Sequence, residues 1–430
     1  MKVSIKSDAQ AKQVTITLSE IDFEKMALES FYQSEKRVQQ IVNNIGKELT
    51  REILQSRDID DKTIERDGRT WYRKEPSAGH YQTLYGEVMV SRHLYQTSAG
   101  GATRCPMEEA CGLSFGAATP LLAETLSFKV SALTPGEVAK DLAKHGLQLS
   151  TSFIRDIAQQ AGRLAVEKAT SWQLEAPSPQ APVEVVASGF DGTTAPIRGE
   201  DYKEAMCGTI ALYDKRGERL STEYLGAMPE AGKADFTNRF TSRVAKVLAL
   251  YPKALHVVLS DGALWNWQLI KEHYPEAIWI LDFWHAAQHL SQAADAIFGR
   301  TPSEEKSAWF ERWKIALRDE PDGVAGVIRS MIYYRNRAGL GGKARKELDA
   351  QLNYFRSHAD KMQYADYAAA GLPIGSGVTE AGCKELIKAR FCRSGMRWNR
   401  DSGAKVLQLR AIRLSDQWDS FWSKVMRYAA

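Results

Sequence analysis

The sequence predicts an α/β protein: a core of alternating strands and helices, an all-helical insertion inside that core, and a mostly helical N-terminal region with a small β-sheet. Three observations predict it. Residues 183–285 alternate apolar strand-like runs with amphipathic helical stretches. Residues 286–368 keep a helical period with no strand signal. Residues 20–56 repeat apolar side chains every three or four positions, with no Pro and no Gly before Gly46.

Residues 1–75 read as a helical region dominated by that long helix. In 76–116, the stretch HYQTLYGEVMVSRHLYQT is rich in Val, Tyr and Thr around a Gly and reads as two strands of a small sheet. Pro and Gly near 100–116 close this unit. Residues 117–177 return to helix. One helix starts at Pro135, Gly146 and Ser150 bracket a turn, and SFIRDIAQQAGRL follows as a second helix. That is the layout of a DNA-binding helix-turn-helix, or of an ordinary helical hairpin. SPQAP at 178–182 reads as a linker.

The core begins in 183–290. VEVVASGFDGTTAPI, YKEAMCGTIALYD and RLSTEYLGAM read as three strands, and ADFTNRFTSRVAKVLALYP as an amphipathic helix. ALHVVLSDGA is a fourth strand whose unbroken apolar run suits burial. LWNWQLIKEHYP reads as helix and AIWILDFWH as a fifth strand. The order β-β-β-α-β-α-β is that of the RNase H-like fold. Residues 291–368 form the helical insertion. Residues 369–430 complete the core with C-terminal helices, the helix carrying Glu380 starting only after GLPIGSG.

At 430 residues the chain has room for two to four domains. With 44% hydrophobic and 26% charged residues, wholesale disorder is excluded. No apolar run reaches the roughly 18 residues of a membrane helix, and MKVSIKSDAQ lacks the apolar centre of a secretory signal. A cytoplasmic protein without a membrane partner is expected, nucleoid-associated if the source is a prokaryote. The five cysteines are scattered and odd in number, which suits reduced thiols. Cys105 and Cys111, flanking PMEEA, are spaced too loosely for a zinc knuckle.

Three acidic residues stand out. Asp191 is expected to close the first strand and Asp261 the fourth, each followed by Gly, where α/β proteins build their sites. Glu380 sits near a helix start, where the dipole favours its charge. The three are spaced by 70 and 119 residues. Carboxylates gathered in one place repel unless a cation sits among them, and hard oxygen donors suit Mg²⁺ or Mn²⁺. Two such ions activate an oxygen nucleophile and stabilise the leaving oxygen of a phosphodiester. Each Asp-Gly taken alone is also an ordinary turn.

The segments SGFDGTTAP, VVLSDGALWNW, ILDFWHAAQHL and GLPIGSGVTEAGCKELIKARFCRSGMRW resemble the blocks of DDE insertion-sequence transposases. They are most similar to the ISKra-type family, related to the Mutator-like superfamily. The resemblance spans about residues 185–400, with weaker motifs upstream. It implies an RNase H-like fold with Asp191, Asp261 and Glu380 as the catalytic, metal-binding triad. It implies two Mg²⁺ (or Mn²⁺) ions, with terminal inverted repeats and target DNA as double-stranded partners. By analogy it implies a homodimer or larger assembly on DNA. A silent, transposase-derived DNA-binding protein and an RNase H-like nuclease that cuts without joining are the alternatives; the intact triad favours an active enzyme.

Asp282 and His285 form an Asp-x-x-His signature like that of Mutator-like enzymes. His285, expected directly after strand five, is a candidate catalytic donor to the scissile phosphate. A structural His satisfied by Asp282 is the plainer alternative, and His285 with His289, spaced i, i+4, could also ligate zinc. Ala286 stands where a zinc protease needs Glu. The Gly-rich 371–377 lacks the Lys-Ser/Thr of a nucleotide P-loop. Between 384 and 413, nine Lys/Arg face two acids, a net of +7 that leaves about −3 for the rest of a chain of total +4. Within this block Lys384, Lys388, Arg390, Arg393 and Arg397 are candidate DNA-backbone contacts, Lys384 one helical turn beyond Glu380. A solvated helix face explains such a run equally well. Trp265, Trp267 and Trp284 read as core, whereas Trp398, between Arg397 and Arg400, is a candidate base-stacking residue.

Overall fold

Strand-forming and helix-forming runs segregate along the chain as the alternation predicts, and the protein is mixed α/β. The structure is a computed structural model and describes residues 2–8, 13–19, 21, 23–337 and 340–429. Two units divide it: Met1–Leu174 with Trp418–Ala430, and Glu175–Gln417.

The first unit opens with an antiparallel hairpin of β1 (Lys2–Asp8) and β2 (Gln13–Ser19), in a region expected to be helical. The long predicted helix is two helices, α1 (Phe23–Leu28) and α2 (Phe31–Gln55). Ser30 separates them because its hydroxyl accepts from the Gln33 amide while the Gln33 side chain returns to the Ser30 amide, a capping box that starts a new helix. A second departure is the hairpin of β3 (Thr63–Arg66) and β4 (Arg69–Arg73). Its turn residues Asp67 and Gly68 both have positive φ, as an Asp-Gly hairpin turn requires.

The expected strands around Gly86 are β5 (Ser77–Thr83) and β6 (Gly86–Arg92), while β7 (Tyr95–Thr97) leaves that hairpin to pair with β4. α3 (Pro106–Ala110), α4 (Pro120–Val130), α5 (Pro135–Lys144) and α6 (Thr151–Glu167) follow. Thr134 caps α5 with Glu137, Gly146 turns the chain at φ +82°, and Ser150 caps α6.

The second unit is built on a five-stranded sheet: β8 (Val185–Ile197), β9 (Asp201–Tyr213), β10 (Arg219–Ala227), then α7 (Ala234–Leu250), β11 (Leu255–Ser260), α8 (Leu264–His273) and β12 (Ile278–Leu281). The strand order is β10-β9-β8-β11-β12. The first three pair antiparallel, whereas β8 with β11 and β11 with β12 pair parallel. Side-chain alternation splits the core in two. Val186, Phe190, Ile210, Leu212 and Val258 pack with α7 and α8. Val185, Ala187, Ala211, Val257 and Leu259 pack with the helices after the sheet: α9 (Phe283–Phe298), α10 (Glu304–Asp319), α11 (Gly323–Asn336), α12 (Gly342–His358) and α13 (Tyr364–Ala369).

The chain then forms α14 (Gly377–Gly382), a π-helical turn (Cys383–Lys388), α15 (Ala389–Phe391) and α16 (Arg400–Leu414), the last packed on β10. The final helix, α17 (Trp418–Ala429), expected in the core, belongs to the first unit. There Trp418 meets Phe128, Trp422 stacks on Phe115, and Phe421 lies against Trp172.

Candidate functional site

The site begins with a strand residue that has no side chain. Val185, Ala187, Gly189 and Asp191 share one face of β8. A Cβ on Gly189 would lie 2.5 Å from Thr379 Oγ1, so the missing side chain lets α14 approach the sheet. Thr379 meets Thr209 on β9 through their hydroxyls at 2.7 Å, and Thr209 is the register partner of Gly189. Glu380 is next along α14, and Cys383 in the following turn places Sγ 3.9 Å from the Asp191 carboxylate.

Asp191 does not close its strand. β8 runs on to Ile197, paired with β9 throughout. What ends near Asp191 is the parallel ladder with β11, whose last pair is Leu259 with Gly189. One neighbour continues and the other departs, so Asp191 lies at the lip of the parallel half. Asp261 follows β11 directly. Its carboxylate accepts from the Ala263 amide at 3.0 Å and from Asn266 Nδ2 at 2.7 Å. Gly262 has φ +95°, and a Cβ there would lie 2.9 Å from the Tyr354 hydroxyl.

β12 stops at Leu281, earlier than expected, because Asp282 caps α9. His285 therefore lies in the first turn of a helix. Asp282 Oδ1 accepts from the His285 amide at 2.7 Å and lies 3.0 Å from His285 Nδ1. Asp282 Oδ2 accepts from the amide of Ser376, the residue before α14, and Ser376 Oγ donates to Glu380 Oε1 at 3.3 Å. The Phe283 amide donates to Ile374 O, a second tie between the same two segments.

Donor atoms of Asp282, His285 and Glu380 all lie within 4.8 Å of one another, a set that can hold a metal ion. Among the described residues no other three Asp, Glu, His or Cys do so, and Asp191 and Asp261 lie outside the set. Their charges still reach it. Burial pushes the Asp191 carboxyl up, and Asp261 and Glu380 push it further, while the Gly192 amide and His285 oppose the rise. His285 is raised chiefly by its hydrogen bond to Asp282, with smaller contributions from Asp261 and Glu380. Burial works against a charged Asp282, but hydrogen bonds from His285 and Ser376 outweigh it and hold this carboxyl below its ordinary value.

His289 does not join His285. It lies 2.7 Å from Gln351 Oε1 through Nδ1 and stacks on Tyr354 at 3.5 Å between ring centres. The sequence pattern missed Ser376, Asn266 and the Thr209–Thr379 pair; only the Gly-Ser-Gly before α14 hinted at the first. Tyr354 was missed too, and burial with the charges of Asp261 and Asp282 pushes its phenol up. Among the described residues the buried Tyr354 hydroxyl and Ser260 Oγ have no hydrogen-bond partner.

The basic block divides. Lys384, Lys388, Arg393 and Arg397 are exposed. Arg390 is not a surface contact: it is 2% exposed, its guanidinium 4.8 Å over the Trp398 ring. Trp398 is half-buried against Phe391, and its backbone pairs with Pro196 and Arg198 at the end of β8, so the ring is largely committed to packing. Arg410 is buried on Glu385 O, and Arg400 pairs with Glu200. The π-helical turn over Cys383–Lys388 also breaks the α-helical spacing that set Lys384 one turn from Glu380. Trp284, read as core, is 60% exposed beside the site.

No protein-family model matches the chain, and no curated protein is significantly similar to it. No helix among the described residues is long and apolar enough to cross a membrane.

Proposed function

We propose that the protein is a metal-dependent transposase that binds the terminal inverted repeats of an insertion sequence, cleaves phosphodiester bonds at its ends and joins them to target DNA. One observation carries this reading. Glu380 of α14 gathers with Asp282 and His285 within 4.8 Å, and the charges of Asp261 and Glu380 reach Asp191 on β8. Such convergence is costly without a cation. The RNase H-like reading of the core is supported by the strand order, with three antiparallel strands followed by two parallel ones.

The residues present fit a divalent ion, because the donors are carboxylates and one imidazole, partly buried and gathered within 4.8 Å. Glu380 and the Asp282–His285 pair would hold one ion, and Asp191 and Asp261, which lie outside that 4.8 Å set, would complete a two-ion site with Glu380. Bound Mg²⁺ or Mn²⁺ would supply Lewis acidity and an activated oxygen nucleophile. The chain's own contribution is placement: Thr209 and Thr379 hold α14 on the sheet, and Ser376 orients Glu380. His285 is held by Asp282 beside Glu380, so its imidazole belongs to the same donor set.

The deciding experiment incubates the full chain with labelled element ends, target DNA and Mg²⁺ or Mn²⁺. Joined product is expected. Cleavage without joining would mean a nuclease, and repeat binding with neither step would mean a DNA-binding derivative.

A further inference from the structure

Asp282 is fully buried and both of its oxygens are engaged, one by His285 and one by the Ser376 amide. Engaged in this way, it is poorly suited to be an inner metal ligand and well suited to stand behind one. A carboxylate at Nδ1 fixes the imidazole tautomer: Nδ1–H donates to Asp282, and Nε2 keeps its lone pair. An outer carboxylate orienting a His in this manner recurs behind metal-bound imidazoles. Through Ser376 the same carboxylate also fixes the start of α14, so one buried group positions both His285 and Glu380. The two come from elements 95 residues apart in sequence, and Asp282 is the group tied to both.

We infer that His285 Nε2 and a Glu380 oxygen are the inner ligands of a cation site supported from outside by Asp282, and that this site takes a first-row transition dication in preference to Mg²⁺. The ligand chemistry sets the preference. Mg²⁺ favours oxygen donors and holds its waters, whereas an imidazole nitrogen suits Fe²⁺, Ni²⁺, Cu²⁺ and Zn²⁺, and Mn²⁺, at the weak end of that series, accepts it more readily than Mg²⁺ does. A site made only of Asp191, Asp261 and Glu380 has no nitrogen and no such dependence on His285. The inference rests on the metal dependence in the proposed function but not on DNA as substrate.

The test uses the full chain without DNA and Mn²⁺ as the probe, with free Mn²⁺ measured by electron paramagnetic resonance and Mg²⁺ as competitor. The unmodified chain is expected to retain Mn²⁺ against a tenfold excess of Mg²⁺. His285→Ala and the more conservative His285→Gln should each weaken Mn²⁺ by about tenfold or more and leave Mg²⁺ little changed, which collapses the Mn²⁺/Mg²⁺ ratio. Asp282→Asn keeps a good helix cap, since Asn caps as well as Asp. It cannot accept from both His285 and Ser376, so Mn²⁺ should weaken about 10–100-fold in a chain that still unfolds cooperatively. A ratio unchanged in both His285 variants would overturn the inference. DNA cleavage by a chain with such an unchanged ratio would leave the proposed function standing. Loss of DNA cleavage and joining under all metals, with the His285-dependent ratio intact, would overturn the proposed function and keep the cation site.

Discussion

The hydroxyls of Thr209 and Thr379 meet at 2.7 Å across 170 residues of sequence, joining β9 to the helix that carries Glu380. Gly189 makes room for this contact. Gly189→Ala should cost about 1–3 kcal/mol, because the added methyl meets a short β-branched side chain that cannot swing aside. Thr379→Val should cost a similar amount by leaving the Thr209 hydroxyl buried with a poorer partner. Urea denaturation measures both. A neutral Gly189→Ala would show that α14 is not seated on the strand as described.

The triad gives the next expectation. Asp191→Asn, Asp261→Asn and Glu380→Gln should each abolish strand cleavage and leave repeat binding within a few-fold, because each removes a negative donor without adding bulk. Gel-shift and cleavage assays on one preparation separate the two effects. Normal cleavage by any variant would remove that residue from the site.

Much of the core was legible because strands buried on one or both faces carry dense apolar runs, and four of the five core strands and both intervening helices fall close to where those runs lie. Local hydrogen bonding set what was misjudged. Asp282 ends β12 early by capping α9, and Ser30 splits the long helix in the same way. The Asp67-Gly68 turn was a readable hairpin signal inside a stretch taken as helical. At the site, the acids could be named from sequence, but their grouping could not. Asp282 meets His285 from the cap of the same helix, whereas the Asp261 carboxylate turns back to the Ala263 amide and Asn266.

Burial sets a pH limit on the sheet. His256 on β11 places Nε2 2.9 Å from Ser188 Oγ, and burial lowers its pKa from 6.5 to about 4. As pH falls, the unfolded chain takes up this proton near 6.5, whereas the folded chain resists until about 4. Stability from this group is therefore complete above pH 6.5 and lost as pH falls towards 4, by up to about 3 kcal/mol. His256→Gln should flatten that part of the stability profile. An equal slope in the variant would assign the acid sensitivity to other groups.

The first unit depends on its last helix. Trp422 stacks on Phe115 at 5.5 Å and Trp418 meets Phe128 at 5.1 Å. Trp422→Ala should cost about 3–5 kcal/mol, as expected for a large core aromatic. Limited proteolysis should then open cleavage sites within 106–167 before any within 185–281. A fragment of residues 1–175 tested for repeat binding should be less stable than the same region with α17 retained.

The final expectation separates the two kinds of cation in the basic block. Lys384 and Lys388 are exposed, and a phosphate contact by each would add close to one unit to the log–log salt slope of binding. The double variant Lys384→Ala, Lys388→Ala should therefore weaken repeat and random DNA by similar factors and flatten the slope by up to about two units, with unfolding unchanged. Arg390 should behave in the opposite way. Its buried guanidinium covers the Trp398 ring and lies near Met396 Sδ, so Arg390→Ala removes packing and a desolvated cation–π contact worth about 2 kcal/mol or more. Chemical denaturation should register that loss, while the salt slope of whatever folded protein remains stays the same. An unchanged slope in the double lysine variant would make Lys384 and Lys388 a solvated helix face and move the DNA path to the exposed cations of α11 and α12.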